Sequence, residues 1–145
     1  MSKGPTPLRL DDESIRKLLK EAGWPCERIN EDTWRSRFKT KKATFPFFVR
    51  VDPAGWVVLA IVPFSRSPEE VPAADALYQR LLELNHKLLM AKFSIDDDLD
   101  VVLSVEYPTG AIDASEFRDA LDALSFYADK HHEELGALAG TADDA

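Results

Sequence analysis

Four carboxylates crowded between positions 96 and 100 (Asp96, Asp97, Asp98 and Asp100) come nearer to a chemical site than any other spacing in this chain. Carboxylates at alternate positions are what the first half of a calcium loop supplies. The pattern then fails. Val101 stands where such a loop needs a glycine, and Tyr107 stands where it needs a bidentate glutamate. The acids are therefore expected to form a solvated turn, for which aspartate is well suited.

Other candidates fail on similar grounds. Glu83 and His86 form a single Glu-x-x-His pair, and a di-iron bundle needs a second copy. His131 and His132 are adjacent, so on a helix they point about 100° apart and cannot share a metal. With Glu133 and Glu134 they read as a wet face near a helix C-terminus, where the dipole favours a protonated histidine. No Gly-x-Ser-x-Gly elbow positions a nucleophile, and the six glycines are scattered rather than gathered into a phosphate cradle. Cys26 stands alone beside Pro25 and Glu27, without the local cations that make a thiol reactive. No catalytic residue, cofactor or metal ligand is expected.

The remaining candidate is a basic band. From Thr33 to Val51 there are six cations (Arg35, Arg37, Lys39, Lys41, Lys42 and Arg50) and no acid, whereas the formal net charge of the chain is −8. Trp34 and Phe38 interleave with these cations, as in binders of single-stranded nucleic acid. Strand alternation, however, puts the aromatics on one face and Arg35, Arg37 and Lys39 on the other. Nucleic acid is not expected as a partner. The alternatives are a dock for an acidic polypeptide segment and the plainer role of lysines that discourage edge-to-edge pairing.

The elements that position these residues follow from periodicity. Leu10, Asp11 and Ile15 have the spacing of a hydrophobic staple around an Asp N-cap, and Ile15, Leu18, Leu19 and Ala22 continue one helical face to Gly23. Thr33 to Thr40 alternates as a strand. Phe45, Phe47, Val49 and Val51 form a second strand, and Asp52 to Gly55 has the residues of a tight turn. A third strand, Trp56 to Val62, is apolar on both parities. Pro63 to Pro72 reads as a loop. A second helix is expected over residues 72–90 through Leu77, Leu81, Leu84 and Leu88, followed by a hairpin of Lys92 to Ile95 and Val101 to Tyr107. Asp113 as N-cap, with Glu116 reaching back, opens a third helix over residues 113–135. Leu81 and Leu121 should face the core.

At 145 residues, 45% of them apolar and 30% charged, the chain suits one globular core. No apolar run approaches the ~20 residues that cross a bilayer. The first residues lack an apolar secretory segment, and Cys26 has no internal disulfide partner, so a soluble cytoplasmic protein is expected, with no membrane contact. The expected organisation is an N-terminal arm at 1–10, a domain at 11–136 and a disordered acidic tail at 137–145.

The segment LLELNHKLLMAKFSIDDDLDVVLSVEYP, residues 81–108, resembles the YbjN family of bacterial proteins. In that family an Asn-bearing helix leads through a short Lys-Phe strand and an acidic turn into an apolar strand. The resemblance extends to Ala114–Leu135 as the closing helix and more weakly to Leu10 through Phe64. The basic strand has no place in it. The resemblance implies the fold of type III secretion chaperones, and a binding or regulatory module that presents sheet surface to an extended polypeptide. It does not imply service to a secretion system.

The fold expected is α+β in the order α-β-β-β-α-β-β-α, with one five-stranded, mostly antiparallel sheet and helices mainly on one face. A strand apolar on both parities would then leave part of its apolar surface open, and such patches mark interaction sites. The function expected is non-enzymatic: a chaperone-like or regulatory module that binds an unidentified protein partner, or itself as a homodimer. The contact is expected on the face carrying part of the Val57, Leu59, Ile61 set, with Arg35, Arg37 and Lys39 supplying charge. The alternative is a small enzyme or ligand-binding domain whose site forms only by tertiary convergence.

Overall fold

The structure is a computed structural model that describes residues 9–140. Among the described residues nine elements follow one another: α1 (Asp12–Glu21), β1 (Glu27–Arg28), β2 (Thr33–Lys39), β3 (Thr44–Asp52), β4 (Trp56–Arg66), α2 (Val71–Asn85), β5 (Lys92–Ile95), β6 (Asp100–Pro108) and α3 (Ala114–Leu138). The strands form one antiparallel sheet in the order β1-β2-β3-β4-β6-β5. The class is α+β as expected, but among the described residues the sheet has six strands and not five. The additional strand, β1, is two residues long, too short for any periodicity to register.

The helix caps form as the sequence requires. Asp11 accepts a hydrogen bond from the Ser14 N–H at 2.9 Å, and Asp113 and Glu116 complete a reciprocal capping box. Helix α2 stops at Asn85, short of the expected 90, and Met90 then takes a left-handed conformation with φ of 68°. Helix α3 runs on to Leu138, so Ala137 and Leu138 of the expected tail are helical, while residues 141–145 lie outside the described residues. Strand β4 also outruns its expected end. Its pairing with β6 shifts register between Ile61 and Ser65, and the shift hides Phe64 to Arg66 from a simple alternation pattern.

All three helices bury their apolar stripes against the same side of the sheet. Ile15, Leu18 and Leu19 of α1, Leu77, Leu81 and Leu84 of α2, and Phe117, Leu121 and Leu124 of α3 join one core with Trp34, Phe47, Val49, Leu59, Ile61 and Leu103. Trp34 can be buried whole because its indole N–H donates to Asp12 at 2.8 Å. That bond, with Arg16 beside it, holds the Asp12 carboxyl below its ordinary range. Aromatic contacts run along the sheet side of this core, from Trp24 on Phe38 to Phe38 on Phe45, Phe45 on Phe64 and Phe64 against Phe93.

Candidate functional site

The two sides of the sheet differ. Among the described residues no helix packs on the side opposite the core, and the strand pairing shows which side chains share it. Directly opposed residues lie on one face, so one row reads Arg35, Phe48, Ala60, Ser104 and Lys92. A second row reads Thr33, Arg50, Val58 and Glu106, and Trp56 stands between Asp52 and Pro108. Pro46 lies beside Arg37. The centre of this open face is thus an apolar strip of Pro46, Phe48, Val58 and Val62, half-buried by neighbouring side chains, with Ala60 buried among them and Trp56 at its end 45% exposed.

Charge flanks the strip unevenly. On the β2 side stand Arg35, Arg37 and Lys39, all exposed, with Arg50 on β3. Arg35 pairs with Glu27 at 2.6 Å, but among the described residues no ion pair engages Arg37, Lys39 or Arg50. On the far side Lys92 and Glu106 neutralise each other at 2.6 Å. These pairs are largely solvated and contribute little to stability; their effect is on the field, which is positive along β2 and close to neutral along β6.

Arg35, Arg37 and Lys39 therefore share the open face, as alternation requires. Val57, Leu59 and Ile61 do not. All three are 0% exposed, on the parity covered by the helices, and none can touch a partner of the folded chain. The open contribution of β4 comes instead from Trp56, Val58 and Val62. Both parities of β4 were apolar in sequence, so only the helices could decide between them. Pro46 and Phe48 did carry a usable signal: they are apolar residues on the parity opposite to the inward Phe45, Phe47 and Val49.

The remaining candidates take simpler places. Asp96, Asp98 and Asp100 do bring an oxygen each within 4.8 Å of the others, and among the described residues no other group of three or more His, Cys, Asp or Glu does so. Asp96 Oδ1 accepts the N–H groups of Asp98 and Asp100 at 3.0 and 2.9 Å, so it folds the turn. His131 is not on a wet face. It is 8% exposed, lies against Tyr127 and Phe93, and α3 continues past it; burial lowers its pKa rather than favouring its charged form. Burial likewise raises the pKa of the Cys26 thiol, which keeps it protonated and poorly nucleophilic.

Asn85 was legible only as a motif letter. Its amide donates to the Phe93 carbonyl at 2.9 Å and accepts from the Phe93 N–H at 2.8 Å, so α2 occupies the outer edge of β5. Among the described residues no helix is long and apolar enough to cross a membrane.

Comparison with known proteins agrees with this architecture. Among solved structures, the chain is similar to one chain of the ExoU–SpcU complex from the type III secretion system of Pseudomonas aeruginosa, with a TM-score of 0.57 at 21% identity over 86% of this chain and 97% of that one. It is similar to a chain of the ExsC–ExsE complex, with a TM-score of 0.58 at 13% identity over 86% and 96%. It is also similar to YbjN of E. coli, with a TM-score of 0.57 at 12% identity over 84% and 91%. At these identities the likeness is one of fold. No curated protein matches the chain. The YbjN family, described as "Putative bacterial sensory transduction regulator", matches residues 11–137, and with most of the chain inside that match the protein belongs to the YbjN family.

Proposed function

We propose that the protein is a non-enzymatic polypeptide-binding module, chaperone-like or regulatory, that works in the cytoplasm and engages a protein partner or a second copy through the open sheet face. The observation that carries this reading is the uncovered strip of Phe48, Val58, Val62 and Trp56, bordered on one side by Arg35, Arg37 and Lys39. Contiguous apolar surface left open by a helical layer is a feature of interaction sites. The cations alongside it would speed encounter and select acidic partners, while apolar contact would supply most of the affinity. Two of the solved structures of similar fold are complexes of two different proteins, which is in keeping with a binding role.

The test compares the wild-type chain with Val58→Asp and with Arg37→Glu. Val58 faces outward, so its change should leave the fold intact while abolishing self-association in light scattering, or capture of a co-purifying polypeptide from the native cell. Arg37→Glu should weaken the same interaction, with the difference shrinking as salt is raised. If Val58→Asp retains every partner and the oligomeric state of the wild type, the open face is not the binding surface and the reading fails.

A further inference from the structure

The sheet has two edges, and they are treated differently. At β5 the outward peptide groups of Phe93 are taken by Asn85. At β2 the cover is incomplete. Strand β1 pairs only Glu27 with Arg35 and Arg28 with Trp34. Along β2 the residues alternate in the direction of their peptide groups. The Thr33 carbonyl faces the β1 side, where it accepts from the Ile29 N–H, while the Asp32 carbonyl accepts from Val51 on the β3 side. By the same alternation Arg37 and Lys39 direct their N–H and C=O groups outward, beyond the end of β1.

The residue that would have continued β1 opposite Arg37 is Pro25, which has no N–H to donate. There the chain leaves the sheet. The departure opens a cleft of about 490 Å³ lined by Pro25, Cys26, Ser36, Arg37 and Pro46, and a second of about 530 Å³ that shares Pro25, Arg37 and Thr44 with it. The cleft passes from the strand edge onto the open face, because Pro46 and Thr44 pair with Arg37 and Lys39.

Resting on the polypeptide-binding reading above, we infer that this half-covered edge accepts an extended acidic segment of a partner protein as an additional antiparallel strand. The chain already contains the first pair of that arrangement: Glu27 stands opposite Arg35 with its carboxylate on the guanidinium at 2.6 Å. An added strand continues the pattern with acids opposite Arg37 and Lys39, which have no ion pair among the described residues. A second copy is disfavoured, since pairing β2 with its own image sets Arg37 and Lys39 against the same cations, the device by which sheet edges avoid self-pairing.

The test uses an eight-residue fluorescent peptide of alternating glutamate and valine, the same peptide with lysine for glutamate, and two N-methylated forms of the glutamate peptide. If acids lie opposite Arg37 and Lys39 as Glu27 lies opposite Arg35, the glutamate N–H groups face β2 and the valine N–H groups face solvent. Methylating the glutamate nitrogens should therefore weaken binding by at least about tenfold, the loss expected for two or more hydrogen bonds, whereas methylating the valine nitrogens should change it by no more than about threefold. The double variant Arg37→Glu, Lys39→Glu should reject the glutamate peptide and accept the lysine peptide. Equal affinity of the two methylated forms, or no binding of the glutamate peptide at millimolar concentration, overturns the inference. So does amide-exchange protection of Arg37 and Lys39 without peptide, which would mean that something else fills the edge. Each of these results leaves the Val58→Asp comparison to judge the open-face reading separately.

Discussion

Replacing Asn85 by alanine removes two hydrogen bonds at once and uncovers a strand edge, so its effect can be worked from the structure. The Asn85 amide meets the Phe93 N–H at 2.8 Å and the Phe93 carbonyl at 2.9 Å, in a partly buried position. Each bond contributes about 1 kcal/mol net, and leaving the two Phe93 groups poorly solvated adds about 1 kcal/mol more, for a total of roughly 2 to 4 kcal/mol. In a domain of this size that corresponds to a fall in the thermal midpoint of roughly 5 to 15 °C. Urea unfolding should show a lower midpoint with an unchanged slope, because the surface exposed on unfolding is nearly the same. Asn85→Asp retains only the acceptor half of the clamp and should also destabilise. The uncovered Phe93 edge should raise light scattering with protein concentration, as unprotected edges do. A loss of stability below about 0.5 kcal/mol for Asn85→Ala, or full stability of Asn85→Leu, would refute the argument that the amide holds the helix to the strand.

Leu59→Ala should cost about 2 to 5 kcal/mol in denaturant unfolding because Leu59 is wholly buried, whereas Val58→Ala on the adjoining residue should cost much less. Asp113→Ala removes the acceptor for the Glu116 N–H at 2.7 Å and should lower stability by about 0.5 to 2 kcal/mol, with Asp113→Ser recovering most of it. His131 is held below its ordinary value of 6.5 by burial among Tyr127 and Phe93, with Lys130 and Arg80 opposing its charge and Glu134 favouring it. The unfolded chain therefore binds the proton at higher pH than the folded chain does, and stability should fall as pH drops through 6.5. His131→Gln should flatten that fall when urea midpoints at pH 7.5 and pH 5 are compared; an unchanged pH dependence would assign the loss to other groups. Millimolar calcium should leave the thermal midpoint where it is, since Asp96 Oδ1 is already committed to two backbone N–H groups.

Local chemistry determined the features whose causes lie within a few residues of each other. The caps at Asp11 and Asp113, the alternation from Thr33 to Lys39 and the acidic turn after Ile95 are of this kind, and each forms as its letters imply. The family resemblance rested on the same local patterns, with Asn85, Lys92 and Phe93 among its letters, though the reason for Asn85 lies in a contact eight residues away.

What the tertiary structure alone decided concerns sides and edges. Strand β4 is apolar on both parities, so its sequence is equally satisfied by burying Leu59 or Val58; the helices settle the matter by packing over Leu59. The burial of His131 is decided in the same way, by Phe93 from a strand nearly forty positions earlier rather than by its charged neighbours. Strand β1 is too short to have a period, and the bulge between Ile61 and Ser65 breaks the period that would have extended β4. Periodicity records how a segment is divided between two environments, and it cannot say which of two apolar sides meets the core or where an edge is left without a neighbour. Those are properties of the assembled sheet, and the surface proposed to bind a partner consists of them.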